Sequence, residues 1–373
     1  MNSSPDILII GGGVTGLTTA LCLAQDGASV TVLDRQRPGQ EASWAGAGML
    51  PPGNQAGAST PESRLRAYSH TLWSQLSDDL RSRTGIDNGY RICGALEVSG
   101  AGGYESATET WRKEGITVEI CDRATLEQYV PDLANDFQSG IYLPEFGQAR
   151  NPRHVKALLA ACHGLGVEIV EGVTQLQLIE QGATVIAESP ERKFHAQKVC
   201  VTAGAWTNEL LRHVRLEFPV FPVRGQMAQL RVSRLPFSCV IEQGRRYIVP
   251  RADGLILIGS TEEHTGFDKQ TTAEGISGLL EFARTLVPEL GRAELVRSWA
   301  GLRPGSPDEL PFLGKISCFD NLYVGAGHFR SGLQMSPGTG RIMADLLLGQ
   351  PPAINLDGLS VDRAFINGSP LEG

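Results

Sequence analysis

The segment Gly11-Gly12-Gly13-Val14-Thr15-Gly16 follows the apolar run Ile7-Leu8-Ile9-Ile10 directly and opens a stretch in which Val14, Leu17, Leu21 and Ala24 recur at helical spacing. Such a beginning commits the chain to a strand, a tight glycine turn and a helix laid on a sheet, the unit that binds dinucleotides. Gly11 allows the sharp turn out of the strand, Gly13 presents no Cβ to a pyrophosphate, and Gly16 lets the helix approach the sheet. Phosphate is expected at the helix N-terminus, where unpaired N–H groups and the positive end of the macrodipole receive negative charge without a lysine. A second apolar run, residues 29–33, delivers Asp34 to a position where its carboxylate can accept hydrogen bonds from an adenosine ribose. That carboxylate would repel a 2′-phosphate, which disfavours NADP; FAD and NAD both remain open on this unit.

At 373 residues the chain is long enough for two folding units, and 44 glycines with 20% charged residues suit a loop-rich α/β enzyme. A net charge of −8 without a dense basic cluster argues against a nucleic-acid partner. It also means that an anionic cofactor must be held by local dipoles rather than by the overall field. The seven cysteines are scattered, odd in number and never in a CxxC pair, so they read as reduced thiols of a cytoplasmic protein. The histidines never pair at ligand spacing, and no metal site is expected. No apolar stretch approaches the roughly 20 residues of a bilayer span, no signal-peptide pattern opens the chain, and residues 370–373 carry no peroxisomal address. The expectation is a cytoplasmic protein with no membrane partner.

Residues 38–60, rich in Gly, Ala, Ser and Pro, suit a segment lying against a flat ligand, the alternative being a surface loop. Helices are expected at 64–85, where Leu65, Tyr68, Leu72, Leu76 and Leu80 share a face, at 152–165 with Asn151 as N-cap, at 272–287, and from the cap Ser336-Pro337 to about Leu348. Strand character falls at 90–98, 167–170, 175–187, 194–202, in several runs within 220–260 including a hairpin at Asp253-Gly254, and at 293–303. Residues 322–332 repeat the opening theme, a strand and then a glycine-rich turn before a helix. The two ends of the chain are therefore expected to meet around one cofactor, beneath a cover of mostly antiparallel sheet.

With these motifs in order, the chain resembles the D-amino acid oxidase and sarcosine oxidase superfamily of FAD enzymes, and within it most nearly the glycine oxidases associated with bacterial thiamine synthesis. The resemblance spans nearly the full length. It rests on Gly11 to Gly16, Ser43 to Leu50, Thr202-Ala203-Gly204-Ala205-Trp206, Trp299-Ala300-Gly301-Leu302-Arg303-Pro304 and Gly327-His328-Phe329-Arg330-Ser331-Gly332. It implies an α/β fold: a Rossmann-like FAD domain of the glutathione-reductase type, formed by 1–85, 145–218 and 315–373, and an α+β substrate domain on a mostly antiparallel sheet, formed by 86–144 and 219–314. It implies FAD bound without a covalent link, since Cys318 lies beyond the position at which covalent relatives attach the flavin. Val14 and Thr15 would meet the pyrophosphate, with Gly11, Gly13 and Gly16 shaping the turn and Asp34 and Arg35 at the ribose. Ala42, Ser43, Ala47, Gly48 and Met49 would lie beside the flavin and Val173 at the adenine. His328, Phe329, Arg330, Ser331, Gly332, Leu333 and Gln334 would run along the isoalloxazine ring. Arg303 would hold the substrate carboxylate, with Tyr247 and Arg330 lining the pocket. Two departures from the family pattern are aspartate rather than glutamate at the ribose and a more basic segment at Arg245-Arg246-Tyr247.

Oxidising an amino acid removes two electrons and a proton from Cα–H, and FAD can take the hydride directly, so the protein needs no nucleophile. Its task is to hold the carboxylate so that Cα meets the flavin, which suits the planar fork of Arg303. Arg303 could instead serve a structural ion pair, and Tyr247 could be a packed strand residue. His328 is read as a flavin contact rather than a base. The expected reaction turns glycine, or a small amine or D-amino acid, with molecular oxygen into a 2-oxo acid, ammonia and hydrogen peroxide, in connection with thiamine thiazole synthesis; the resemblance also suggests a homotetramer. The competing readings are a dehydrogenase of the same fold, acting on a D-amino acid or 2-hydroxy acid and passing electrons to another carrier, and a catalytically idle FAD subunit.

Overall fold

The computed structural model describes residues 4–98 and 104–365. Its first large sheet has six strands in the order Phe312–Lys315, Leu322–Ala326, Lys198–Val201, Ile7–Ile10, Val30–Leu33 and Glu168–Val170. All neighbours run parallel except the first pair. Strands from the beginning, middle and end of the chain are thus hydrogen-bonded side by side. Alternation along Ile7–Ile10 divides the core in two. Ile7 and Ile9 face a layer of helices, while Leu8 and Ile10 face a second cluster around Phe218, Phe312 and the hairpin Gln177–Gln181/Thr184–Glu188.

The helical layer depends on small residues. Helix Val14–Gln25 crosses helix Ser336–Leu348 where Gly340 meets Thr18, at a distance that leaves no room for a Cβ. Helix Pro61–Thr84 packs on the same C-terminal helix at Gly338, and its Ser69 hydroxyl donates to the Met335 carbonyl at 3.1 Å. Thr60 and Ser63 close a capping box at its start, and Gly85 ends it in the left-handed region at φ 70°.

The second large sheet has eight strands, Glu294–Gly305, Phe221–Arg231, Leu255–Gly259, Arg246–Pro250, Val240–Gln243, Ala95–Val98, Ser139–Leu143 and Glu119–Asp122. Every neighbouring pair is antiparallel except Val240–Gln243 with Ala95–Val98. Helix Ala273–Leu286, capped by Thr272, packs on one face through Leu279, Phe282, Ala283 and Leu286.

Two caps differ from expectation. The helix expected to follow an Asn151 cap spans Asn151–Gly164 with Arg150 as the capping residue. Asn151 is buried, and its side-chain amide donates to the Ser43 carbonyl at 3.0 Å, a tertiary contact that competes with capping. Ser336 likewise lies inside the first turn of its helix, after Met335, and donates to the Leu333 carbonyl. Among the described residues no helix is long and apolar enough to cross a membrane. The tail at 370–373 lies outside them.

Candidate functional site

A cavity of about 1110 Å³ opens at the carboxyl ends of the parallel strands and is walled on its other side by one face of the eight-stranded sheet. Its volume lies above the ~300–1,000 Å³ usual for a single ligand pocket, which leaves room for a dinucleotide and a small second molecule.

At the first glycine turn, Gly11 sits at φ +109°, a conformation open to glycine, and donates to the Leu33 carbonyl at 2.8 Å. The Gly12 N–H donates to Asp34 Oδ2 and the Val14 N–H to Ser43 Oγ, each at 2.8 Å. Among the described residues no acceptor reaches the N–H groups of Gly13 or Thr15. A Cβ at Gly13 would meet only Ser43 Oγ, at 3.2 Å, so the wall here is bare backbone with donors turned outward. This cradle fits a pyrophosphate. Asp34 accepts a second bond from the Gln36 N–H at 3.0 Å, and burial raises its carboxyl pKa above the ordinary value. Arg35 lies over the Trp206 ring at 3.6 Å and pairs with Glu41 at 2.6 Å.

The second turn enters the cavity from the other end of the chain. Gly327 (φ +82°) and Phe329 (φ +45°) bend it after strand Leu322–Ala326, and residues 328–334 line the cavity up to helix Ser336–Leu348. His328 is buried, its Nε2 paired with Thr339 Oγ1 at 2.9 Å, and burial lowers its pKa to about 4; it is a neutral packing residue with a committed nitrogen.

Arg303 projects from strand Glu294–Gly305 over Gly225, where a Cβ would collide with its guanidinium. Its Nη2 donates to Ser260 Oγ at 2.5 Å and its Nη1 to the Thr261 carbonyl at 3.2 Å. Among the described residues no carboxylate lies within 4 Å of it, so the structural ion pair is not made. Shielding from water pulls its pKa below the ordinary arginine value, with Tyr247 and Glu262 acting against that shift and Arg330 adding to it. A cation held this way is a receptor for an incoming anion. Tyr247 donates to Met227 Sδ at 3.4 Å across Gly259, whose missing side chain makes the space for both. Arg330, by contrast, is engaged, bonding Glu262 at 2.6 Å and the Arg245 carbonyl at 2.8 Å.

Of the residues singled out in the sequence, Gly11, Gly13, Val14, Thr15, Asp34, Arg35, Ala42, Ser43, Ala47, Gly48, Met49, Val173, Tyr247, Arg303 and 328–334 all line this one cavity. Gly16 does not: it is packed where a Cβ would strike the Gly11 carbonyl and lie 2.5 Å from Thr202 Oγ1. Cys318 is exposed and away from the cavity. Sequence reasoning missed Ser260 and Thr261, which aim Arg303, Asn151, which props Ser43, and Glu242, which opens onto the same cavity. Glu242 carried a signal: Gly244-Arg245 is a two-residue hairpin turn, and its register puts Glu242 opposite Tyr247.

Comparison with known proteins matches residues 6–346 to the family model described as FAD dependent oxidoreductase. A glycine oxidase of Pseudomonas aeruginosa is 37% identical over 360 residues, covering 94% of this chain and 97% of that protein. The bifunctional protein ThiO/ThiG of Synechocystis is 36% identical over 99% of this chain and 56% of its own length. The crystal structure of glycine oxidase from Geobacillus kaustophilus superposes with a TM-score of 0.92 at 31% identity, covering 97% of this chain and 99% of that one.

Proposed function

The chain belongs to the family of FAD-dependent oxidoreductases, and we propose that it is an amino acid oxidase that deaminates glycine or a similarly small amine or D-amino acid. When bound, FAD supplies the two-electron acceptor for the Cα–H bond. The observation that carries the substrate class is Arg303, a cation without a carboxylate partner, aimed into the cavity from a glycine-floored trough. There the guanidinium fork takes the substrate carboxylate and fixes the position of Cα. Tyr247 stands beside it, seated over Gly259 as Arg303 is over Gly225. Arg330, tied to Glu262, borders the same space.

The FAD-binding part is assigned to 1–85, 145–218 and 315–373, and the substrate part to 86–144 and 219–314. The bare N–H groups of the first turn would hold the pyrophosphate, Asp34 and Arg35 the ribose, Val173 the adenine, and residues 42–49 and 328–334 the flavin. Oxygen is the acceptor, the products are the 2-oxo acid, ammonia and hydrogen peroxide, and the setting is a cytoplasmic homotetramer. The ThiO/ThiG relative supports a place beside thiamine thiazole synthesis.

The test is anaerobic mixing of the purified yellow protein with glycine, sarcosine and small D-amino acids, followed by admission of air. Bleaching of the flavin and then one peroxide per amine consumed is expected. A flavin that none of these amines reduces overturns the reading.

A further inference from the structure

Glu242 lies in strand Val240–Gln243, between two partners fixed by sheet register. On one side the hairpin sets it opposite Tyr247, and on the other the parallel strand sets it beside Glu97. Cross-strand partners share a face. One row therefore reads Trp299, Met227, Gly259, Tyr247, Glu242, Glu97. Met227, Tyr247 and Glu242 from this row line the cavity that also holds Arg303. The carboxylate near the neighbouring turn, Glu262, is occupied by Arg245 and Arg330. Among the described residues Glu242 has no such engagement; its charged surroundings are Glu97, which repels it, and Arg330, which attracts it more weakly.

A cavity that presents a cation with no counter-ion and, along the same sheet face, a carboxylate with no cation of its own is matched to a zwitterion. An amino acid arrives as one, and its ammonium group has its nitrogen lone pair tied up in an N–H bond. While that pair is tied up it cannot form the C=N bond as Cα–H leaves, so one proton must go first. Building on the amine-oxidation reading above, we propose that Glu242 receives the substrate's amino group. With Arg303 on the carboxylate, the Glu242 carboxylate accepts a hydrogen bond from the ammonium and takes one proton from nitrogen, giving a neutral amine and a carboxylic acid, with no bond to carbon altered.

The surroundings suit that exchange. Removal from bulk water and the adjacent Glu97 push the Glu242 pKa up to about 8, Arg330 opposing, and Tyr247 faces it across the strand pair. A carboxylate of ordinary acidity would hold the ammonium but be too weak a base to take its proton; one near the working pH can do both.

The experiment follows kcat/KM for glycine against pH in the FAD-loaded wild type, Glu242→Gln and Glu97→Gln, together with the flavin absorbance change on binding acetate, a carboxylate without an amine. Wild type should show an acidic limb near pH 8. In Glu242→Gln that limb moves up to the pKa of glycine's own ammonium, and kcat/KM at pH 7 falls about 10²–10⁴-fold. Acetate still perturbs the flavin as in wild type, which shows an intact site. In Glu97→Gln the limb moves below pH 8 while the plateau stays. An unchanged limb in Glu242→Gln overturns the proposal, and so does a loss of acetate binding in step with glycine, because Glu242 is then a structural support. A wild type that no amine reduces defeats the oxidase reading itself, whereas a reducible wild type matched by Glu242→Gln defeats only the role of Glu242.

Discussion

At the scale of single residues the site works against the stability of the chain that carries it. Arg303 is shielded from water without a carboxylate, and such a charge is costly until an anion arrives. Arg303→Met keeps the stem and removes the charge. It should raise KM for glycine by at least about 10²-fold, the loss expected for two charge-assisted hydrogen bonds. The melting temperature of the ligand-free protein should hold or rise. Steady-state kinetics and a thermal melt check both, and a lower melting temperature with an unchanged KM would show Arg303 to be structural. Two histidines make a second prediction. Burial lowers His154 to about 3 and His328 to about 4, against an ordinary value of 6.5. Below pH 6.5 the unfolded chain binds protons that the folded chain refuses, so stability is present above 6.5 and is lost as pH falls toward these values. The slope is about 1.4 kcal/mol per pH unit for each histidine. Urea unfolding between pH 7 and 4 should show that decline, and His154→Gln should make it shallower.

Among elements, the first strand, turn and helix separate binding from folding within a few residues. Gly13 faces the cavity, and a Cβ there touches only Ser43 Oγ; Gly16 faces the sheet, and a Cβ there strikes the Gly11 carbonyl. Gly13→Ala should therefore leave the melting temperature of the apoprotein unchanged while weakening FAD binding by at least tenfold. Gly16→Ala should destabilise the apoprotein by about 1–3 kcal/mol through overpacking. Fluorescence titration with FAD and apoprotein melts separate the two. This unit was legible in the sequence because strand, turn and helix are all local, and the same holds for the hairpin through Asp253-Gly254 and the second glycine turn. The stretch after Ala95–Val98 was not. Helix Glu105–Lys113 buries only Thr108 and helix Arg123–Tyr129 only Leu126, so neither writes an apolar period into the chain. In helix Pro61–Thr84 the periodic face was legible, but its buried edge carries Trp73 rather than the expected Leu72; Trp73 is 1% exposed, packed against Tyr90 and His154 from elements distant in sequence. Within the site, the bare backbone donors of the first turn follow from glycine spacing. The side chains that aim Arg303 depend on which strands become neighbours, and Ser260 and Thr261 lie some forty residues from it.

Across the whole molecule, the cavity is closed by segments far apart in sequence that only the folded chain brings together. The first glycine turn, residues 42–49, the Thr202–Trp206 turn, strand Glu294–Gly305 and residues 328–334 each supply one wall. A ligand that touches all of them binds the native state and has nothing to bind in the unfolded one, so its binding free energy becomes folding free energy. Held as proposed, FAD would span the distance from Asp34 to the turn at 328–334, which line the same cavity. NAD shares the adenosine and pyrophosphate but has no isoalloxazine ring to lie against residues 42–49 and 328–334. At a hundred times its dissociation constant, FAD should stabilise the apoprotein by about 2.7 kcal/mol. For a chain of this size, that is a rise of several degrees in melting temperature. NAD at the same concentration should produce a rise at most marginal, and AMP none beyond it. Differential scanning fluorimetry of the apoprotein with each nucleotide reads the contrast directly. Equal shifts from FAD and NAD would mean that the second glycine turn takes no part in holding the cofactor, and the joining of the two chain ends in one sheet would then serve the fold alone.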